Sequence, residues 1–294
     1  MTISIRSLHP LFMGKVSGLD LRQPVTAAGI AAINAGMDRH AVLIFPGQVI
    51  SQEEHLTFSR AFGSLQGGSN VKTGPGHMRL PLEFSDPSNL DKDSKPRDRF
   101  HPARLVKLGN MLWHTDASFW PQGAKYSLLL GRVIPPKGGN TEFADMRAAY
   151  DALDDKTQIE IEELVCEHSI LFSRAQLACT EFTDEERKQH RPARQRLVRT
   201  HPVTGRKSLY LASHIGGIVG WPRPEAMAFI RDLMEHATQP EFVYSHKWTI
   251  NDLVMWDNRQ TMHRGRRYDD VNFPRDVRRT TVAGDGHTAA QAAA

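Results

Sequence analysis

The sequence predicts a mainly β protein with flanking helices, built around a sandwich or jelly-roll core. Three observations carry this. From Asn110 onward the chain breaks into short apolar runs separated by turn residues. Helical periodicity falls mainly before and between those runs. Strict βαβ alternation, which would signal a parallel sheet, is absent.

Taken in order, the first part mixes helix and strand. Ile30, Ile33 and Met37 recur at helical spacing, and AVLIF (41–45) then reads as a buried strand ended by Pro46 and Gly47. Ser51 and Glu54 form a capping-box pattern that opens a helix to about Phe62, where Gly63 ends it. Residues 63–108 change character. They are rich in Gly, Pro, Ser, Asp, Lys and Arg, with one short apolar segment at 80–84. A long polar stretch inside a compact domain is functional or disordered, and a mobile lid is expected here. MLWHTDASF, YSLLLGRVI and TEFADM then read as strands, with PPKGGN as a turn. A helix follows over roughly 146–165. TEFTDEERKQHRPARQR reads as exposed helix plus loop, and RLVRTHPVTGRKSLYLAS as a hairpin turning at 202–205. Ala226, Phe229, Ile230, Leu233 and Met234 lie on one face of an amphipathic helix. FVYSHKWTI, DLVMWDN and VRRTTVAG close the chain as strands. The expected organisation is one domain over residues 1–286 and a flexible, featureless tail over 287–294.

Bulk properties narrow the function classes. At 40% hydrophobic and 24% charged residues, the chain can bury a sizeable core. No stretch approaches the ~20 apolar residues a membrane helix needs, and MTISIRSLHPLF lacks the pattern of a secretory signal. The cytoplasm is the expected location. Cys166 and Cys179 suit neither a zinc clip nor a redox pair and read as unpaired thiols. The net charge is +4, with basic residues at Arg264, Arg266, Arg267, Arg275, Arg278 and Arg279. No finger spacing or RNA-binding aromatic signature accompanies them, so no nucleic-acid partner is expected. Local positive charge also serves to hold small carboxylates.

The sharpest chemical feature is Trp113-His114-Thr115-Asp116. If this is a strand, His114 and Asp116 share a face and point together into the core. An inward carboxylate is costly without a partner, and a divalent cation supplies one. His263, just past DLVMWDN, is the third candidate ligand. Two histidines and a carboxylate on one face, with open positions opposite, form the facial triad of non-haem Fe(II) oxygenases. Further along, Arg275, Val277 and Arg279 share a strand face, with Arg278 on the other. Two inward arginines beside a cationic metal call for bound anions. His214 and His246 read as structural or surface residues, Asp257-Asn258 as turn chemistry, and Trp248 and Trp256 as core packing.

The chain resembles the taurine dioxygenase/2,4-dichlorophenoxyacetate dioxygenase family of 2-oxoglutarate-dependent enzymes, and within it the aryloxyacetate branch. The resembling text spans nearly the full length: SLHPLF, VLIFPGQVIS, RAFGSLQGG, LWHTDASF, PPKGGNTEFADMRAAYDAL, LVRTHPVTGRKSLY, EHATQPEFVYSHKW, DLVMWDNRQTMHRGRRYD and RDVRRTTV. The resemblance implies a double-stranded β-helix core of the jelly-roll, cupin-like kind. It implies Fe(II) on His114, Asp116 and His263, with 2-oxoglutarate and O2 as co-substrates. It implies that Arg275 and Thr141 hold the distal carboxylate of 2-oxoglutarate, with Trp256 packed near it. Arg279 is placed by the substrate's anionic group, with Arg278 as the other register. Lys72 and Lys95 in the lid, and His201, are implied as substrate contacts. The implied reaction is hydroxylation of the carbon beside the ether oxygen of an aryloxyalkanoate, in a homo-oligomer. A taurine, alkylsulfonate or alkylsulfate dioxygenase is the neighbouring reading. A zinc hydrolase or a non-catalytic jelly-roll binding protein lies further off.

Overall fold

Alternation along the strands, more than any helix, decides where each side chain goes. The computed structural model describes residues 3–67 and 79–291. β1 (Ser4–Ser7), β2 (Gly14–Ser17) and β3 (Val42–Phe45) come first, with α1 (Ala27–His40) ahead of β3. α2 (Gln52–Arg60), β4 (Leu65–Gln66), β5 (Phe84–Ser85) and α3 (Pro102–Lys107) follow. Next are β6 (Gln122–Val133), β7 (Thr141–Asp145), α4 (Met146–Asp151), α5 (Asp155–Ile161), β8 (Val165–His168), α6 (Ile170–Ala175) and α7 (Asp184–Gln189). β9 (Ala193–Arg196), β10 (Val198–Thr200), β11 (Lys207–Leu209), β12 (Ile215–Ile218) and α8 (Arg223–Ala237) lead to the last four strands. These are β13 (Val243–His246), β14 (Leu253–Asp257), β15 (Thr261–Gly265) and β16 (Asp276–His287).

The large sheet runs β1-β2-β3-β14-β6-β16-β4, with β5 also paired to β16, and only β2–β3 is parallel. A small antiparallel sheet, β13-β7-β15, faces it. The period-2 rule shows in the packing. Leu43 and Phe45, Leu128 and Leu130, and Leu253 and Met255 project to one side, against Ile33 and Met37 of α1 and Phe58 of α2. Val42, Ile44, Leu129, Val254 and Trp256 project to the other side and meet Phe143 of the small sheet. Behind the small sheet, Ala144 and Met262 pack on α4 and α8. Two sheets enclosing one interior, with helices outside, form the jelly-roll core.

Local rules place the helices. Thr26 caps α1 by accepting from the Gly29 N–H. Both halves of the Ser51/Glu54 capping box form at α2. Ile230 and Leu233 of α8 are buried, with Phe229 and Met234 packed against the same core. In one place the local signals favour a break. The helix expected over 146–165 is two helices, because Asp154 accepts from the Thr157 N–H and starts a new one. The C-terminal stretch also differs from a frayed tail. Thr288 Oγ1 donates to Gln195 Oε1 at 2.6 Å, and Gln291 accepts from Arg194 N at 2.9 Å, fastening residues up to 291 to β9.

The polar excursion is anchored where it is described. Arg79 bonds Asp86 at 3.0 Å and Asp276 at 2.7 Å. Ser88 Oγ donates to the Val277 carbonyl and accepts from the Val277 N–H, both at 3.0 Å. Asn89 donates to the Asp270 and Phe273 carbonyls and accepts from Arg275 N. Ser88 and Asn89 thus satisfy the backbone at the start of β16, where no strand pairs on that side.

Leu253 is fully buried between β3 and β6. Leu253→Ala should cost about 2–5 kcal/mol, read as a lower denaturant midpoint with an unchanged slope.

Candidate metal centre

The site begins with a pair of backbone hydrogen bonds. His114 N donates to His263 O at 3.0 Å, and His263 N donates to His114 O at 2.9 Å. The motif is therefore not a strand. It is an isolated bridge to β15 that passes directly into a turn, with Ala117 in the left-handed region at φ 56°. The alternation expected of a strand survives. Trp113 joins the core behind the small sheet, and Thr115 Oγ1 donates to the Leu211 carbonyl at 2.9 Å. His114 and Asp116 face inward.

Among the described residues, His114, Asp116 and His263 form one cluster whose ligand atoms all lie within 4.8 Å of each other. His114 Nε2 is 3.8 Å and His263 Nε2 is 3.7 Å from the Asp116 carboxylate. These gaps are too long for hydrogen bonds, yet short enough to share one ion through ligand bonds of ~2.1 Å. The His114 Nδ1–H donates to the Leu112 carbonyl at 2.7 Å, which leaves the Nε2 lone pair pointing at the cluster. Burial holds both imidazoles below the usual histidine range, against the pull of Asp116, so both are neutral ligands. Burial would raise the Asp116 carboxyl, but Arg279, both histidines and the Ser127 hydroxyl outweigh it and hold it ionised. The donor set fits a divalent cation of the facial-triad class.

Asp116 is aimed by a network that sequence reading passed over. Ser127 Oγ donates to Asp116 Oδ2 at 2.8 Å, Asn258 Nδ2 donates to Ser127 Oγ at 2.9 Å, and Asp116 N donates to Asn258 Oδ1 at 3.2 Å. The Trp256 indole N–H closes the loop on Asn258 Oδ1 at 3.1 Å. Asn258 looked like turn chemistry. Its only sequence signal was its place at the end of the strand that precedes His263.

A cavity of roughly 840 Å³, its mouth included, opens over the cluster. His114, His263, Thr141, Trp256, Arg275 and Arg279 all line it. Arg275 is buried and its guanidinium makes no hydrogen bond or ion pair with any described residue; its flat face lies 5.8 Å from the Tyr268 ring. Arg279 contacts Asp116 and Ser85, while Arg278 turns outward to Asp276 at 2.9 Å. Arg279, rather than Arg278, faces the cavity. Trp248 donates to Thr141 Oγ1 at 2.9 Å, so the Thr141 hydroxyl proton is free to point elsewhere. The Gly138-Gly139 turn lets this edge approach the Tyr268 loop. A Cβ on Gly138 would sit 2.6 Å from the Arg267 carbonyl, and both glycines have positive φ.

Of three expected substrate contacts, two are not brought to the cavity and one cannot be placed. Lys72 lies outside the described residues. Lys95 is exposed and does not line the cavity; its backbone N–H is held by Asp91. His201 is 3% exposed, but its Nε2–H donates to Asp257 Oδ2 at 3.2 Å, and Asp257 is clasped by Arg259 at 2.7 Å. A hairpin-edge histidine looked available to ligand, but burial beside a carboxylate has already committed it. The further cations that line the cavity, beside Arg275 and Arg279, are Arg104, Lys107 and Arg266 among the described residues.

Comparisons with known proteins place this geometry. The family described as "Taurine catabolism dioxygenase TauD, TfdA family" matches residues 4–281. The chain is 43% identical over 286 residues to the alpha-ketoglutarate-dependent 2,4-dichlorophenoxyacetate dioxygenase of Cupriavidus pinatubonensis, covering 97% of this chain and 99% of that one. It is 34% identical over 279 residues to the (S)-phenoxypropionate/alpha-ketoglutarate-dioxygenase of Delftia acidovorans, covering 89% and 88%. The crystal structure of AAD-2 in complex with Mn(II) and N-oxalylglycine superposes with a TM-score of 0.91 at 55% identity, covering 99% of this chain and all 100% of that one.

Three outcomes are expected. Asn258→Ala should weaken metal binding by roughly 10–100-fold through loss of ligand orientation, measured by metal titration of the apoprotein; unchanged affinity would show that the network does not aim Asp116. His201→Ala should destabilise the fold by about 1.5–3 kcal/mol, the scale of a lost hydrogen bond to a charged group, since Arg259 still pairs Asp257, with substrate KM unchanged. Asp257 has its carboxyl held well below the usual range by Arg259 and His201, against burial. Its contribution is therefore full above about pH 5 and fades only as the pH falls toward that depressed value. Acid unfolding of Asp257→Asn should lose that component.

Proposed function

The chain belongs to the TauD/TfdA dioxygenase family, and from that premise we propose that it hydroxylates the carbon beside the ether oxygen of an aryloxyalkanoate. It is an Fe(II)- and 2-oxoglutarate-dependent dioxygenase. The observation that carries the site reading is Arg275. A buried guanidinium with no protein anion is costly, and here it faces a cavity with the His114–Asp116–His263 cluster on its floor. A dicarboxylate that reaches from the metal to Arg275 removes that cost.

Iron bound there supplies the oxidising power, coupling O2 and the decarboxylation of 2-oxoglutarate to C–H oxidation. One oxygen atom enters the substrate C–H bond; the other appears in succinate as CO2 leaves. The protein's part is placement. His114, Asp116 and His263 would take one face of the ion and leave the other face to the cavity. Arg275 would receive the distal carboxylate of 2-oxoglutarate, and Thr141, already accepting from Trp248, would donate a hydrogen bond to it. Trp256 walls the site against His263, with ring centroids 4.6 Å apart. Arg279 sits beside the substrate's anionic group. Leu108, Met111 and Leu129 offer an apolar bed for an aryl body. Hydroxylation beside an ether oxygen gives a hemiacetal, which collapses to a phenol and a 2-oxo acid.

The relatives support the substrate class: the two curated enzymes above act, by their names, on 2,4-dichlorophenoxyacetate and (S)-phenoxypropionate. Recognition of taurine would need a free acid for its ammonium. Asp270 is the one acid among the described lining residues, and Arg104 holds it at 2.8 Å. We further read the enzyme as a cytoplasmic homo-oligomer without nucleic-acid or membrane partners. Both cysteines are free, and among the described residues no helix is long and apolar enough to cross a membrane.

The test is anaerobic loading with Fe(II), then O2 uptake and succinate formation with phenoxyacetate, each enantiomer of 2-phenoxypropionate, an alkyl sulfate and taurine. Phenol release with matched succinate is expected for an aryloxy acid; stimulation by taurine or alkyl sulfate alone would replace the substrate. Arg275→Ala should raise the 2-oxoglutarate KM by roughly 30-fold or more, the scale of a lost buried charge pair. Metal affinity should stay unchanged, and equal loss of both would remove Arg275 from this role.

A further inference from the structure

Among the described residues, five arginine and lysine side chains line the cavity: Arg104, Lys107, Arg266, Arg275 and Arg279. Most are matched by protein anions. Arg104 bonds Asp270 at 2.8 Å, Arg266 lies 3.5 Å from Glu142, and Arg279 contacts Asp116. Arg275 is unmatched and is assigned above to 2-oxoglutarate. Lys107 is the other exception. Its ammonium donates to the Ser88 carbonyl at 2.8 Å and forms no ion pair among the described residues. Asp86, the nearest source of negative charge, is committed to Arg79 at 3.0 Å.

We propose that Lys107 is a substrate-recognition residue that joins Arg279 in receiving the carboxylate of the aryloxyalkanoate. This rests on the substrate reading given above. Lys107 ends α3, and the chain then turns through Leu108, Asn110 and Met111, which also line the cavity, to reach His114. One short segment therefore carries both the cation for the acid group and apolar contacts for the ring. An ammonium has three donors. One is used by the Ser88 carbonyl, which fixes the nitrogen's place and leaves two for an anion. Burial pushes the Lys107 ammonium down to about 8, with Asp86 opposing and Arg97 and Arg79 adding to the fall. A charge held at that disadvantage gains more from an incoming carboxylate than a solvated lysine would.

The experiment compares 2,4-dichlorophenoxyacetate with 2,4-dichloroanisole, which keeps the aryl ether but has no carboxylate. Phenol release is followed in the wild type, Lys107→Met and Lys107→Arg. Lys107→Met should lower the kcat/KM ratio of acid to anisole by roughly 30-fold or more. Lys107→Arg should restore most of it. The 2-oxoglutarate KM and the slow succinate formation without substrate should match the wild type in both variants, which separates recognition from a damaged fold. A wild-type enzyme that releases phenol, with the ratio unchanged in Lys107→Met, overturns the assignment alone. A wild type that forms succinate but releases phenol from neither compound overturns the substrate reading, and this assignment with it.

Discussion

Two backbone hydrogen bonds between His114 and His263 hold the molecule's chemistry together. The residues are 149 positions apart in the sequence, and neither belongs to a sheet that would fix the other. The bridge sets their Cα atoms opposite one another and brings the rings to a centroid distance of 4.2 Å. Once the histidines are fixed, Asp116 has one position left, and Ser127 and Asn258 hold it there. β15 carries His263 at the register opposite Phe143, so the small sheet turns one ligand inward and Met262 outward in the same step. The centre is a product of strand register rather than of loop flexibility. That is what a constellation of ligands needs if it is to keep open positions on one side.

A second constraint is electrostatic. The interior concentrates positive charge among the described residues: Arg275 just ahead of β16, Arg279 within it, Arg104 and Lys107 from α3, and Arg266, to which a metal on the triad would add. Such a site tolerates its own charge only because it alternates with acids that are already spoken for. Arg79, Asp86, Asp276 and Arg278 form one such series beneath the roof, and Arg104 with Asp270 another. The cations left over are where ligand anions complete the pattern.

Much of this was legible in the sequence, for identifiable reasons. Apolar runs marked DLVMWDN as a strand, and period-2 patterning put Arg279 inward and Arg278 outward. The latter held even though the pairing of β16 with β6 shifts register between Asp276 and Val277. The pattern of His114 and Asp116 survived although the segment is a bridge and a turn. The alternation needs only two extended residues, not a strand. What could not be read depends on contacts distant in sequence. Lys95 and His201 carry the right chemistry, but their distance from the cavity is set by the path of the excursion and by Asp257. Lys107 reads as an ordinary helix-end lysine until α3 is seen lining the cavity that holds His114 and His263. Asn258 reads as a turn until Ser127 of a neighbouring strand is beside it. The break at Asp154 was missed because apolar spacing runs across it while its cap is a single side chain.

The floor and the roof of the cavity have different origins in the chain. The floor is assembled from β6, β7, β14, β15 and β16, so each of its residues is tied to the register of a sheet. Much of the roof comes from one continuous stretch, from Pro87 to Met111, that follows β5 and is clasped to the start of β16 through Ser88 and Asn89. Inheritance can act on these two parts separately. A single altered or exchanged segment can present a new acid, ring or chain length to an untouched oxidising centre, and a lineage can explore substrates without first rebuilding its catalyst.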